Sequence, residues 1–179
     1  MCGAYKSGFS LIEILVALAI VGIMGAIIVP RISVRSTREI DQFVEKIATL
    51  TRIGYERAIV AGKLHRLYFN FKDTPYIELQ AVKAERSTTG ELTFEPAQVA
   101  YARTRIEWPD RFVVKNFYIK TIDEAQSGKL KDSWIFLLPE GLSQEIVINI
   151  RDEVTGQERG LVLNPFNVRF TVYDEFQKP

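Results

Sequence analysis

Gly8-Phe9-Ser10-Leu11-Ile12-Glu13-Ile14-Leu15-Val16-Ala17-Leu18-Ala19-Ile20-Val21-Gly22-Ile23-Met24-Gly25-Ala26-Ile27-Ile28-Val29-Pro30-Arg31 is the stretch on which the fold turns. From Phe9 to Val29 it holds one charge, Glu13, and otherwise only Ser10 is strongly polar. A helix of about 21 residues rises ~31 Å, close to the thickness of a bilayer's hydrocarbon core, so the segment is expected to span a membrane. Ala17, Ala19, Gly22 and Gly25 are small enough to let apolar helices approach closely. Pro30 removes one backbone hydrogen bond and is expected to distort the helix without having to end it. Glu13 is the costly residue, because a carboxylate within an apolar span needs either the headgroup region or a partner.

The pattern changes beyond Pro30. Ile40, Phe43, Val44, Ile47, Leu50, Ile53 or Gly54, Ala58 and Ala61 recur at steps of three and four, the signature of an amphipathic helix with one packing face. Gly62 is the expected terminator. Ser10 to Ala61 therefore reads as one nearly continuous helix of about 52 residues, or ~78 Å. From Leu64 the period becomes two, with Leu67, Phe69 and Phe71 alternating against Tyr68, Asn70 and Lys72. Further strands are expected at residues 76–82, 91–94, 99–107, 112–119, 134–138, 145–151, 160–163 and 168–173. Breaks fall at Pro75, 87–90, Pro109-Asp110, 123–131, Pro139-Glu140-Gly141, Thr155-Gly156 and Asn164-Pro165. The expected class is α+β, a long N-terminal helix packed on an antiparallel, sheet-rich, β-sandwich-like head. Trp134 to Leu138, nearly continuous in apolar residues, is expected in the middle of a sheet.

Composition narrows the function. The chain has 179 residues, 23 basic and 22 acidic. One basic residue, Lys6, precedes Gly8, so the remainder is balanced and offers no basic face for nucleic acid. The single cysteine, Cys2, permits no intrachain disulfide, and it precedes the apolar run, whereas a lipidated cysteine normally follows one. A conventional secretory signal would place its cleavage site after the apolar run, where Val29-Pro30-Arg31-Ile32 offers a poor one. Positive-inside counting, with Arg31, Arg35 and Arg38 beyond the span, would favour the opposite orientation to the one adopted below. The one histidine, His65, reads as an exposed or edge-strand residue, and gives neither a zinc cluster nor a catalytic set. Asp123-Glu124 and Asp152-Glu153 read as solvated turn carboxylates. Asp152, Glu153 and Asp174 are too scattered for a calcium loop. Trp108 and Trp134 read as core or loop-packing residues. No glycine loop cradles phosphate, so no cofactor, metal or catalytic residue is expected.

Gly8-Phe9-Ser10-Leu11-Ile12-Glu13 ahead of an apolar span resembles the processing and methylation motif of type IV prepilins and type II secretion pseudopilins. The resemblance implies that a prepilin peptidase on the cytoplasmic side cuts between Gly8 and Phe9 and methylates Phe9. It implies that Glu13 pairs with the Phe9 amino terminus of a neighbouring subunit during assembly, and that Pro30 is the family's helix-distorting proline. The domains then read as a cleaved leader (1–8), a transmembrane and filament-core segment (9–29), an amphipathic segment (30–62) and a periplasmic head (63–179). The run from Tyr55 to Gly62 leading into Leu67-Tyr68-Phe69 is similar to the minor pseudopilin H type. The implied function is a pilin-like structural subunit that initiates or caps the periplasmic filament of a type II secretion system. The alternatives are a minor pilin of a type IV or DNA-uptake pilus and a single-span receptor. Implied partners are other pseudopilins or pilins, the prepilin peptidase, an inner-membrane assembly platform and, before assembly, membrane lipid. The implied location is the bacterial inner membrane, single-pass, with a cytoplasmic N-terminus.

Overall fold

The computed structural model describes residues 10–83, 92–100, 102–125, 130 and 132–179, without the side chains of 25–37. One helix, α1 (Leu11–Ala61), runs for 51 residues. Ser10 opens it, its carbonyl accepting from the amides of Glu13 (2.9 Å) and Ile14 (3.2 Å). Gly62, at φ +59°, closes it. There Lys63 N–H donates to Ala58 O and Gly62 N–H to Ile59 O, both at 3.2 Å, the paired bonds of a Schellman turn. The sequence-based terminator is therefore borne out.

The chain forms two compact units, Met1–Glu39 and Ile40–Pro179. In the first, every described side chain from Ser10 to Met24 is exposed, including Leu11, Ile12, Leu15, Leu18, Val21 and Ile23. Among the described residues no helix is long and apolar enough to cross a membrane. The expected span, 9–29, lies partly outside them, as do Gly8 and Phe9 and the Pro30 side chain.

In the second unit ten strands are described: β1 (His65–Asn70), β2 (Tyr76–Val82), β3 (Phe94–Pro96), β4 (Arg105–Glu107), β5 (Phe112–Ile119), β6 (Ile122–Asp123), β7 (Ser133–Leu137), β8 (Ile146–Asp152), β9 (Glu158–Asn164) and β10 (Arg169–Tyr173). They form two five-stranded antiparallel sheets. The first is ordered β3-β2-β1-β7, with β4 also pairing β2, and the second is β10-β9-β8-β5-β6. The fold is α+β, as expected.

Period-two patterning places Leu67 and Phe69 of β1, Ile77 and Leu79 of β2, and Ile135 and Leu137 of β7 in the core. From the second sheet come Phe117, Ile146, Ile148, Ile150, Leu161 and Leu163. Phe69 and Phe117 meet edge to face at 5.3 Å and join the sheets. Into this core α1 lays the stripe Ile40, Phe43, Val44, Ile47, Leu50, Gly54 and Ala58, joined by Thr51, whose hydroxyl donates to Ile47 O at 2.8 Å. Ala61, assigned to that stripe by its spacing, is exposed, because the turn at Gly62 carries the chain away.

Three strand expectations need correction. Residues 99–107 reduce to β4, since β3 and β4 share one edge of β2: Leu79 O accepts from Ala97 N–H (2.9 Å) and Leu79 N–H donates to Thr104 O (2.8 Å). The chain between must loop out. The strand expected at 91–94 is β3, Phe94–Pro96, with Glu91 outside the described residues. β7 ends the first sheet beside β1 rather than lying mid-sheet, and its burial alternates, leaving Trp134 40% exposed. Aromatic packing on the outward side explains its apolar run: Phe136 contacts Phe94 and Trp134.

Close packing at Gly54 is testable. A Cβ there would stand 2.5 Å from Leu137 Cδ1 and 2.6 Å from Leu79 Cδ1, both in fully buried side chains. Gly54→Val is expected to destabilise the head by about 1–3 kcal/mol through overpacking, against the ordinary gain from removing a helical glycine. Denaturant unfolding of the chain in detergent reads the change.

Candidate functional site

Glu13 lies in the first turn of α1, in the spacing Ser10-Leu11-Ile12-Glu13. This is the capping-box order, with a short hydroxyl residue at the helix entrance and an acid three positions on, where the positive end of the helix dipole favours it. The position of Glu13 in the first helical turn adds this local use to its place as a charge in an apolar segment. Around it Leu11, Ile12 and Ile14 are 78%, 69% and 52% exposed, an uncovered apolar surface of the kind that marks a contact with lipid or protein. Gly8 and Phe9 lie outside the described residues, and Pro30 falls within α1 with its side chain outside them. The four positions belong to one linear segment of the sequence.

The head's polar groups are engaged structurally. His65 is 5% exposed on β1, between β2 and β7, correcting the exposed or edge-strand reading; its Nδ1 is 2.9 Å from Lys63 O. Asp123 is no solvated turn residue either. It accepts from Asn116 Nδ2 (2.8 Å) and from the amides of Phe117 (3.1 Å) and Ala125 (3.0 Å), which fastens the β5–β6 turn. Asp152 is fully buried and meets Arg111 Nη2 at 2.5 Å and Nε at 3.1 Å. Burial pushes the Asp152 carboxyl up. The opposing hydrogen bonds from Arg111, Thr155 and the Val154 amide outweigh it and hold the group below its ordinary range. Spacing cannot show this, because Arg111 and Asp152 meet only when β5 pairs with β8.

Asp152, Glu153 and Asp174 each face a different base: Arg111, Lys115 and Arg159. Among the described residues no group of three or more His, Cys, Asp or Glu could hold a metal ion. Trp108 is 6% exposed, in the core as expected, its Nε1 donating to Phe112 O at 2.6 Å. Trp134, by contrast, faces outward beside Arg66, whose guanidinium carbon stands 3.9 Å from the Phe94 ring centroid and 5.5 Å from that of Trp134. A groove of about 1200 Å³ runs along α1 past Glu45 and Thr49 to Tyr76, Arg105 and Trp108.

Residues 3–29 match the family model described as the prokaryotic N-terminal methylation motif, so the chain carries that motif where the sequence reading placed it. A comparison with curated proteins found no match. Among solved structures the chain is similar to the minor pseudopilin EpsH from the type 2 secretion system of Vibrio cholerae. The TM-score is 0.49 and the identity 12%, over 73% of this chain and 94% of that one.

The Arg111–Asp152 pair gives a prediction with a sign. Asp152 has a depressed folded pKa, so its contribution to stability is present above the ordinary carboxylate range and is lost as pH falls through the folded value. Arg111→Ala, which leaves a buried carboxylate unpaired, is expected to cost about 3–5 kcal/mol at pH 7. Asp152→Asn should flatten the acid limb of the stability profile. Urea midpoints measured from pH 7 down to pH 2 check both.

Proposed function

We propose that this chain is a minor pseudopilin, a structural, non-enzymatic subunit that initiates or caps the pilus-like filament of a type II protein secretion system. The observation that carries the reading is the match to the methylation motif at residues 3–29, which takes in an apolar helical segment whose described side chains, Ser10 to Met24, are exposed. In this reading a prepilin peptidase removes residues 1–8 and methylates Phe9. Residues 9–29 then hold the subunit in the inner membrane, with the N-terminus cytoplasmic and the head periplasmic. Assembly exchanges lipid for neighbouring helices, which Gly22 and Ala19 would let approach closely.

Glu13 has two tasks on this account. Within the subunit it answers the helix dipole; between subunits it pairs with the methylated Phe9 amino group of a neighbour, rewarding correct axial register. Pro30 relaxes the helix between its filament-core part and the part that carries the head. Partners are other pseudopilins, the peptidase and the inner-membrane platform that extracts subunits.

Glu13→Leu separates these steps. It should insert and be processed like the wild type, yet enter filaments about tenfold less or worse, since one partner of a desolvated pair is gone. Immunoblots of processed chain and of sheared filament fractions read the two steps. Normal incorporation of the variant would remove the register role. Co-purification with a pilus platform instead of a secretion platform would shift the assignment to a minor pilin of a type IV or DNA-uptake pilus.

A further inference from the structure

Asn116 of β5 stands opposite Asn149 of β8, and Asn149 opposite Gly160 of β9, a polar, small-residue row across one face of the second sheet. A β-bulge between Val114 and Asn116 sets this register. It keeps Val114 and Phe117 toward the core and turns Asn116 to the other face. Ile146, Ile148 and Ile150 of β8 pack into the core, so Asn149 points away from it, and yet it is only 1% exposed. What covers it is the chain's own C-terminal segment, residues 174–179, which belongs to no strand.

The fit of that segment is specific to main chain. Asn149 Oδ1 accepts from Gln177 N–H and Asn149 Nδ2 donates to Gln177 O, each at 2.9 Å, so one side-chain amide reads both backbone groups of one residue. Its orientation is set from behind. Asn149 Nδ2 also donates to Asn116 Oδ1 (3.2 Å), and Asn116 Nδ2 donates to Asp123 (2.8 Å). At Gly160 an added Cβ would lie 2.5 Å from the Glu175 carbonyl oxygen and 3.2 Å from Gln177 N, so the segment passes where a side chain would stand. Arg159, 8% exposed and bonded to Asp41 at 2.9 Å, reaches Asp174 at 3.3 Å and marks where the segment enters.

We propose that the Asn116–Asn149–Gly160 row is a binding seat for an extended peptide, and that it takes the C-terminal segment of a second copy of this chain in exchange for its own. Recognition by an amide and a glycine floor reads backbone. An identical segment therefore makes identical contacts. The segment is held by side-chain bonds rather than a ladder, so its departure leaves the sheet paired. An empty seat leaves the buried Asn149 amide without its main-chain partner, a cost that a second copy's segment removes. Exchange of identical elements is a low-cost route to association between copies.

The test uses the chain in detergent, shortened to end at Tyr173, and a fluorophore-labelled peptide with the sequence of residues 174–179. The shortened chain should bind the peptide saturably with a Kd no weaker than about 0.1 mM, a tenth of the roughly millimolar effective concentration of a short tether, if the chain's own segment is to keep the seat filled. Binding should be about tenfold weaker to the full-length chain, whose seat is filled, and about tenfold weaker to the shortened chain carrying Asn149→Ala. Absence of binding to the folded shortened chain, or binding indifferent to Asn149→Ala, overturns the proposal. Gly160→Ala in the full-length chain keeps the test independent of the truncation. Its Cβ should displace the segment and let carboxypeptidase trim it about tenfold faster, whereas an unchanged trimming rate refutes the seat.

Discussion

The apolar stripe of α1 from Ile40 to Ala58 is the constraint on which the head depends. Two five-stranded sheets have more inward-facing apolar surface than they cover for each other, and the helix supplies the remaining wall. Its anchors are spread over both sheets: Gly54 lies against Leu79 and Leu137 of the first, while the Phe43 ring meets Phe112 of the second at 5.2 Å. Each large side chain buried on this stripe contributes about 1.5–3 kcal/mol of transfer free energy. The strands cannot be regarded as a domain to which a helix is attached; the buried stripe from Ile40 to Ala58 is part of their core.

Residues 11–24 of the same helix obey the opposite rule. Apolar side chains face all directions, and no described residue covers them. An exposed apolar surface of this kind marks a contact with protein or membrane. One element thus carries two chemistries in sequence. The first makes the chain dependent on its surroundings and the second makes the head self-sufficient. A carboxylate, Glu13, stands in the first turn of this half, where the positive end of the helix dipole favours it.

The helix, its terminator at Gly62, most strands and the methylation motif were legible because each depends on local periodicity or contiguous residues. Elements fixed by distant pairing were not. β4 shrank because β3 competes with it for one edge of β2, and β7 became terminal because strand order is not written in strand composition. His65 and Asp152 were misjudged for the same reason: polarity suggested exposure, but the strands they sit on are covered, and Arg111 lies 41 residues from Asp152 in sequence. Asn149 gave no signal, since its partner is the backbone of the C-terminal segment rather than any side-chain pattern.

The central claim is that this chain is a processed filament subunit rather than a permanently anchored one. The mass of its amino-terminal peptide, isolated from membranes of cells that make it, tests that claim most directly. The account predicts a chain that begins at N-methylated Phe9. A chain still beginning at Met1, or cut beyond the apolar run near Pro30, would contradict it.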